Sequence, residues 1–255
     1  MAIDYHGVFP CKVRESVPDE GLLQMQKARS RALAALEAAR SDPSLSAQPP
    51  ESIAIKVVVL RPDGPEEVTT TAAELLQQAA QLTELAIHCG DCPANVRKTD
   101  FGCGGAIHYP LSEKGERWLL SRLPANMKSP AGQMLRKAIE NFQFDGAPIR
   151  KLRGNPQFCA SSVPQVRRWG RFFAGKFHVT SDQILHMAFG VGSLQSMHAK
   201  LLAYFLGYLD DRFELSGDSA DLVRPEDDQT TLEFKFFLAV AALAGTSDIP
   251  VHIDA

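Results

Sequence analysis

Residues 88–108 read HCGDCPANVRKTDFGCGGAIH, and this stretch decides how the rest of the chain is understood. Three of the five cysteines, Cys89, Cys92 and Cys103, fall inside it with the spacing C-x2-C-x10-C. A gap of two residues lets both sulfurs of a tight turn face one ion, as in zinc knuckles and iron–sulfur loops. The glycines at 90, 102, 104 and 105 read as positions of positive φ that bring backbone N–H groups toward thiolate charge, and Pro93 stiffens the turn. The plain alternative is a set of free thiols in a glycine-rich turn, since a lone cysteine is most often a small buried hydrophobe. Three at this spacing favour a metal.

A closed tetrahedral or cubane site needs a fourth donor. Cys11, in the extended segment Phe-Pro-Cys-Lys, is the first choice, followed by Cys159 and then His108. Structural zinc usually draws on two short pairs. One remote cysteine joined to a trio suits a cluster that pins a chain terminus to a distant loop. The apolar neighbours Ile87, Phe101, Ile107 and Tyr109 point the same way, so a [4Fe-4S] cluster stands slightly ahead of zinc. In ligand order alone, one cysteine followed at a distance by three resembles the iron–sulfur clips of certain nucleases and primases; the likeness covers four residues and implies no family. Cys89-Gly-Asp-Cys92 also has the shape of a thioredoxin-type Cys-x-x-Cys, without a βαβ setting around it.

The totals narrow the class without naming a function. The chain has 255 residues, 45% hydrophobic and 22% charged, with a formal net charge of -3, which suffices for a packed core and excludes a disordered or strongly basic chain. An odd, unevenly spaced set of five cysteines argues against a disulfide framework. The N-terminal residues lack a signal-peptide pattern, and the longest apolar run, 236–244, is short of the roughly 20 residues of a membrane span. These features lead to the expectation of a cytoplasmic protein with no membrane partner.

Periodicity predicts a mainly α fold, or α+β with a small sheet, containing about seven helices and two to four short strands. Leu22, Met25, Ala32, Leu33 and Leu36 mark a helix ending near Ser41-Asp42-Pro43, and Ile53 to Leu60 the clearest strand, closed by Pro62-Asp63-Gly64-Pro65. Thr71 with Glu74 opens a helix expected to run unbroken to His88. Further helices are expected over 112–123, from Ser129-Pro130 to Phe142, over 164–174, over 182–189 with Ser181 as cap, over 194–210 after Ser193, and over 232–244 with Thr230 and Glu233 as a capping box. Gly146, Pro148, Gly154 and Pro156 suggest a boundary between an N-terminal part, 1–145, that holds the cysteine loop and a helical C-terminal part, 146–255, unless the two are continuous.

Residues 146–180 carry basic side chains and no Asp or Glu, with Trp169, Phe172, Phe173 and Phe177 interleaved. Arg167, Arg168 and Arg171 are therefore candidates for contact with nucleic acid or an acidic partner, against the plainer alternative of a solvated helix face. Asp182 and His186, four apart, could act as base and orienter on one helix face. No phosphate-binding glycine loop or nucleophile elbow is present. Two functional readings follow. One is a binding or regulatory module around a cysteine-ligated centre; the other is a metal-dependent or thiol redox enzyme using Cys89 and Cys92.

Overall fold

The computed structural model describes residues 2–42, 48–49, 52–61, 64–170, 177–216 and 223–254. In chain order its elements are β1 (Ala2–Gly7), α1 (Lys12–Ser16), α2 (Asp19–Ser41), β2 (Ala54–Arg61), β3 (Gly64–Thr71), α3 (Ala72–Gln78), α4 (Gln81–Leu85), a 3-10 turn (Ala86–His88), β4 (Gly104–His108), α5 (Glu113–Ser121), α6 (Pro130–Asn141), α7 (Ala147–Arg153), β5 (Val166–Trp169), β6 (Phe177–Thr180), α8 (Ser181–Phe189), α9 (Ser196–Phe205), α10 (Gln229–Thr246) and β7 (Val251–Asp254). The fold is mixed α+β with three small sheets, and ten helices among the described residues exceed the seven expected, because 72–85 breaks into α3 and α4 and because α1 and α7 are added. Backbone proximity divides the chain into two compact units: Met1–Phe9 with Cys92–Ala255, and Pro10–Asp91. The glycine and proline cluster at 146–156 lies inside the first of these.

The larger unit is built around α10. Eleven of its 18 residues are buried, on every side of the helix, which is why this segment reads as a continuous apolar run without a stripe. Its neighbours are α9, α5, β4 and β1. Against α9 the approach is close, and a Cβ on Gly245 would stand 2.6 Å from the Lys200 backbone nitrogen. The antiparallel sheet β4-β1-β7 presents Ile3, Tyr5, Ile107, Val251 and Ile253 to the core, and Tyr5 meets Phe237 of α10 edge to face at 5.0 Å. β4 is not legible by propensity. Gly104 and Gly105 are poor strand formers, yet a Cβ on Gly104 would stand 2.7 Å from the Tyr5 backbone oxygen of β1, and one on Gly105 would stand 2.9 Å from the Tyr5 hydroxyl and 2.7 Å from Arg97 Nη1.

Three expected helix starts move. Thr180, with Gln183 completing the capping box, caps α8 in place of Ser181, whose hydroxyl is used elsewhere. Asp228 caps α10 by accepting from Thr231 N, because Glu233 turns to His108. The helix expected from Leu194 begins at Ser196, because Leu194 pairs with Val251 across a β-bridge. One expected helix, 164–174, is a strand where it is described: residues 166–169 form β5, paired in antiparallel register with β6, and 171–174 lie outside the described residues. There Arg167 and Trp169 share a face and stack at 5.0 Å, an alternation of period two that helix propensity concealed.

The smaller unit packs α2 on α3, and these helices share a groove with the hairpin β2–β3, in which Val57 stands opposite Val68. Its buried residues include Leu22, Leu23, Ala28 and Ala32 of α2, Ala72, Leu75 and Ala79 from the α3 region, Leu82 of α4 and Cys89, while Leu33 is half exposed. Thr71 and Glu74 form the expected capping box at the start of α3. Of the turn expected at 62–65, Pro62 and Asp63 lie outside the described residues.

Candidate metal centre

The cysteine segment belongs to both units, so each part is taken on its own. In the smaller unit, Cys11 is the N-cap of α1; its backbone is extended and its carbonyl accepts from Arg14 N and Glu15 N at 3.0 and 3.1 Å. Its side chain is half-buried. Cys89 closes the 3-10 turn through its N–H to Ala86 O at 2.9 Å and is buried. Ile87, expected to shield a cluster, is 77% exposed.

In the larger unit, Cys92 and Cys103 are half-buried and pack against the main core. Between them the chain folds into successive turns. Cys92 O accepts from Asn95 N at 2.9 Å, Asn95 Oδ1 accepts from Thr99 N at 3.2 Å, and Arg97 Nη1 donates to Gly104 O at 3.3 Å. Cys103 O accepts from Gly7 N at 2.9 Å, which ties the end of the loop to the end of β1. The positive φ angles of this loop fall on Lys98 and Phe101 rather than on the glycines. Gly102 is needed for a different reason: a Cβ there would lie 1.8 Å from Asn95 Oδ1. Among the described residues no group of three or more His, Cys, Asp and Glu side chains is gathered closely enough to hold an ion.

The other two fourth-donor candidates are already engaged. Cys159 is buried beneath the β-bridge to Leu111, and burial pushes its thiol up to about 12, with Arg153 pulling the other way and Glu116 and Asp182 adding to the rise. It is a core thiol. His108 Nδ1 meets Glu233 Oε1 at 2.6 Å, while its N–H donates to Glu233 Oε2 at 2.8 Å; that hydrogen bond raises the imidazole pKa against the opposing effect of burial.

Sequence reasoning missed the most concentrated charge in the larger unit. Arg153 at the end of α7, Glu116 of α5 and Asp182 of α8 are 3%, 0% and 0% exposed, so all three charges sit in the interior. Arg153 grips Glu116 through both oxygens, at 3.0 and 2.8 Å, and donates from Nε to Asp182 Oδ1 at 2.8 Å and from Nη1 to Ser161 O at 3.0 Å. Ser181 Oγ donates to Glu116 Oε2. Asp182 Oδ2 is buried with no partner among the described residues. Burial works against the charge of Arg153, yet the two carboxylates hold its guanidinium above the usual arginine range. The arrangement cross-links three helices, α5, α7 and α8. The expected pairing of Asp182 with His186 is absent, because His186 packs its ring edge-on against Phe144 at 5.4 Å.

The arginine trio also resolves into separate roles. Arg167 donates from Nη1 to the carbonyls of Leu120 and Ser121 at 2.7 and 2.8 Å, capping the C-terminal end of α5. Arg168 is exposed, and Arg171 lies outside the described residues. No helix among those described is long and apolar enough to cross a membrane. No protein-family model, no curated protein and no solved structure matches this chain.

Proposed function

We propose that the chain is a binding or regulatory module built on a cysteine-ligated metal centre, with Cys89, Cys92 and Cys103 as the core donors and Cys11 as the fourth, holding a [4Fe-4S] cluster ahead of zinc. The observation that carries this reading is the C-x2-C-x10-C spacing of the quoted stretch. Support comes also from the engagement of the competing donors: Cys159 is sealed in the core and His108 is bound to Glu233, which leaves Cys11 as the half-buried thiol remaining. Ligation deprotonates the thiols and gathers like charges that repel without a cation, so convergence is expected on loading rather than before it. The partner surface foreseen for Arg167, Arg168 and Arg171 rests, among the described residues, on Arg168, since Arg167 is spent on α5.

The test is anaerobic purification with a visible spectrum and assays for iron, sulfide and zinc. Brown protein with about four irons and four sulfides per chain is the expected result, and colourless protein with one zinc would keep the ligand set while changing the metal. Cys92→Ser should abolish binding. Metal-free wild-type protein, or unchanged metal content in Cys92→Ser, overturns the reading.

A further inference from the structure

The smaller unit contains a groove of about 590 Å³, a size within the roughly 300–1,000 Å³ of ordinary ligand sites. Its floor is apolar: Met25 and Ala28 of α2, Val57 and Val68 of the hairpin, and Leu75 of α3. Val57 and Val68 stand opposite each other in register and are only half-buried, so the two helices leave part of this β-branched face uncovered. A two-stranded hairpin has little stability of its own, and an apolar body in the groove would complete the layer over it. Met25, flexible and polarizable, suits an irregular apolar guest.

Charge around the rim selects the head group. Gln24, Met25, Ala28 and Arg31 share one face of α2, a wall about 10 Å long at the α-helical rise. Arg31, at the C-terminal end of that wall, is exposed and makes no ion pair among the described residues. Across the groove Glu74 is already committed, since its Oε2 accepts from Thr70 Oγ1 at 2.7 Å and from Thr71 N at 2.9 Å. Glu74 keeps its negative charge, but its Oε2 is turned to the start of α3, which leaves Arg31 as the cation of the rim.

We propose that this groove binds an amphipathic small molecule, an unbranched apolar chain ending in a carboxylate, with the chain over Val57, Val68 and Leu75 and the carboxylate on Arg31. This inference is independent of the thiols. The experiment is calorimetric titration of the full chain with decanoate, decanol and decyltrimethylammonium, each below its micelle concentration. Decanoate should bind about tenfold more tightly than either of the others, and Arg31→Gln should remove that advantage while leaving decanol binding unchanged. Arg31 is exposed, so the variant should keep the wild-type melting temperature, measured alongside. Absence of decanoate binding, equal binding of the ammonium compound, or an unaltered decanoate affinity in Arg31→Gln overturns the proposal.

Discussion

Two polar assemblies of this chain are opposites. The cysteine segment is conspicuous in the sequence, because its donors stand three and eleven residues apart, yet its thiols belong to two compact units and are not gathered among the described residues. The Glu116–Arg153–Asp182 network is closed and buried, yet its members, 37 and 29 residues apart, look in the sequence like ordinary helix charges. The difference separates two kinds of polar site. The cysteine segment carries its candidate chemistry in local spacing. A site that serves the fold can be assembled from residues brought together only by packing.

The largest expected effect breaks the closed member of this pair. Arg153→Met leaves two carboxylates in the interior without their cation, and breaking a buried ion pair by removing one partner costs about 3–5 kcal/mol. That is a large share of the stability of a typical domain. Urea titration at neutral pH should show the loss, and neutralising the carboxylates in the same chain, with Glu116→Gln and Asp182→Asn, should recover part of it. A change below about 1 kcal/mol in Arg153→Met would mean that the network contributes little to the fold.

The open member should break at Gly102. A methyl group there meets Asn95 Oδ1 at 1.8 Å and must displace the carboxamide that accepts from Thr99 N. Gly102→Ala should cost about 1–3 kcal/mol, the usual range for forcing extra atoms into a packed site. Adding Asn95→Ala should return part of that loss, because the colliding atom is then gone. Equal stability of wild type and Gly102→Ala would show that the turn does not depend on this cradle.

What could be seen in the sequence follows the same division. The long helix α2, the strand β2, the Thr71–Glu74 capping box and the Ser129-Pro130 start of α6 were all legible, because each is specified by residues within a few positions of one another. The elements that were missed answer to distant partners. β5 reads as a helix until β6 pairs with it, and β4 reads as a loop until Tyr5 explains its glycines. Local spacing favours Ser181 and Glu233 as caps, but Glu116 and His108 claim their oxygen atoms. At the candidate site, the spacing of the thiols was plain, while the engagement of Cys159 and His108 depended on residues far away in the chain. The sign of that engagement was a lone histidine or cysteine with nothing local to hold it, which is too common to be read.

The smallest effects are in the acid limb of stability, where two histidines carry the contrast between a ring paired with a carboxylate and a ring without one. His108 ends the strand that leaves the cysteine loop, and its bond to Glu233 raises its pKa in the folded state. The stability it contributes is therefore present below the unfolded value near 6.5 and is lost as pH rises through the folded value. His198 of α9 behaves the other way. Its ring lies 6.1 Å from Phe144 and bonds to the Met187 backbone, its Nε2 is buried without a partner among the described residues, and burial lowers its pKa despite that backbone bond. Between the lowered folded value and about 6.5 the unfolded chain holds the proton that the folded chain refuses, so stability falls as pH falls through this window. Melting temperatures from pH 8 to 5 should accordingly drop less steeply on the acid side for His198→Gln than for wild type. His108→Gln should drop more steeply there, having lost a group that favours folding when protonated. Parallel profiles for all three proteins would show that neither ring environment is coupled to unfolding, and would leave the buried carboxylates and their arginine as the main electrostatic link between this fold and its stability.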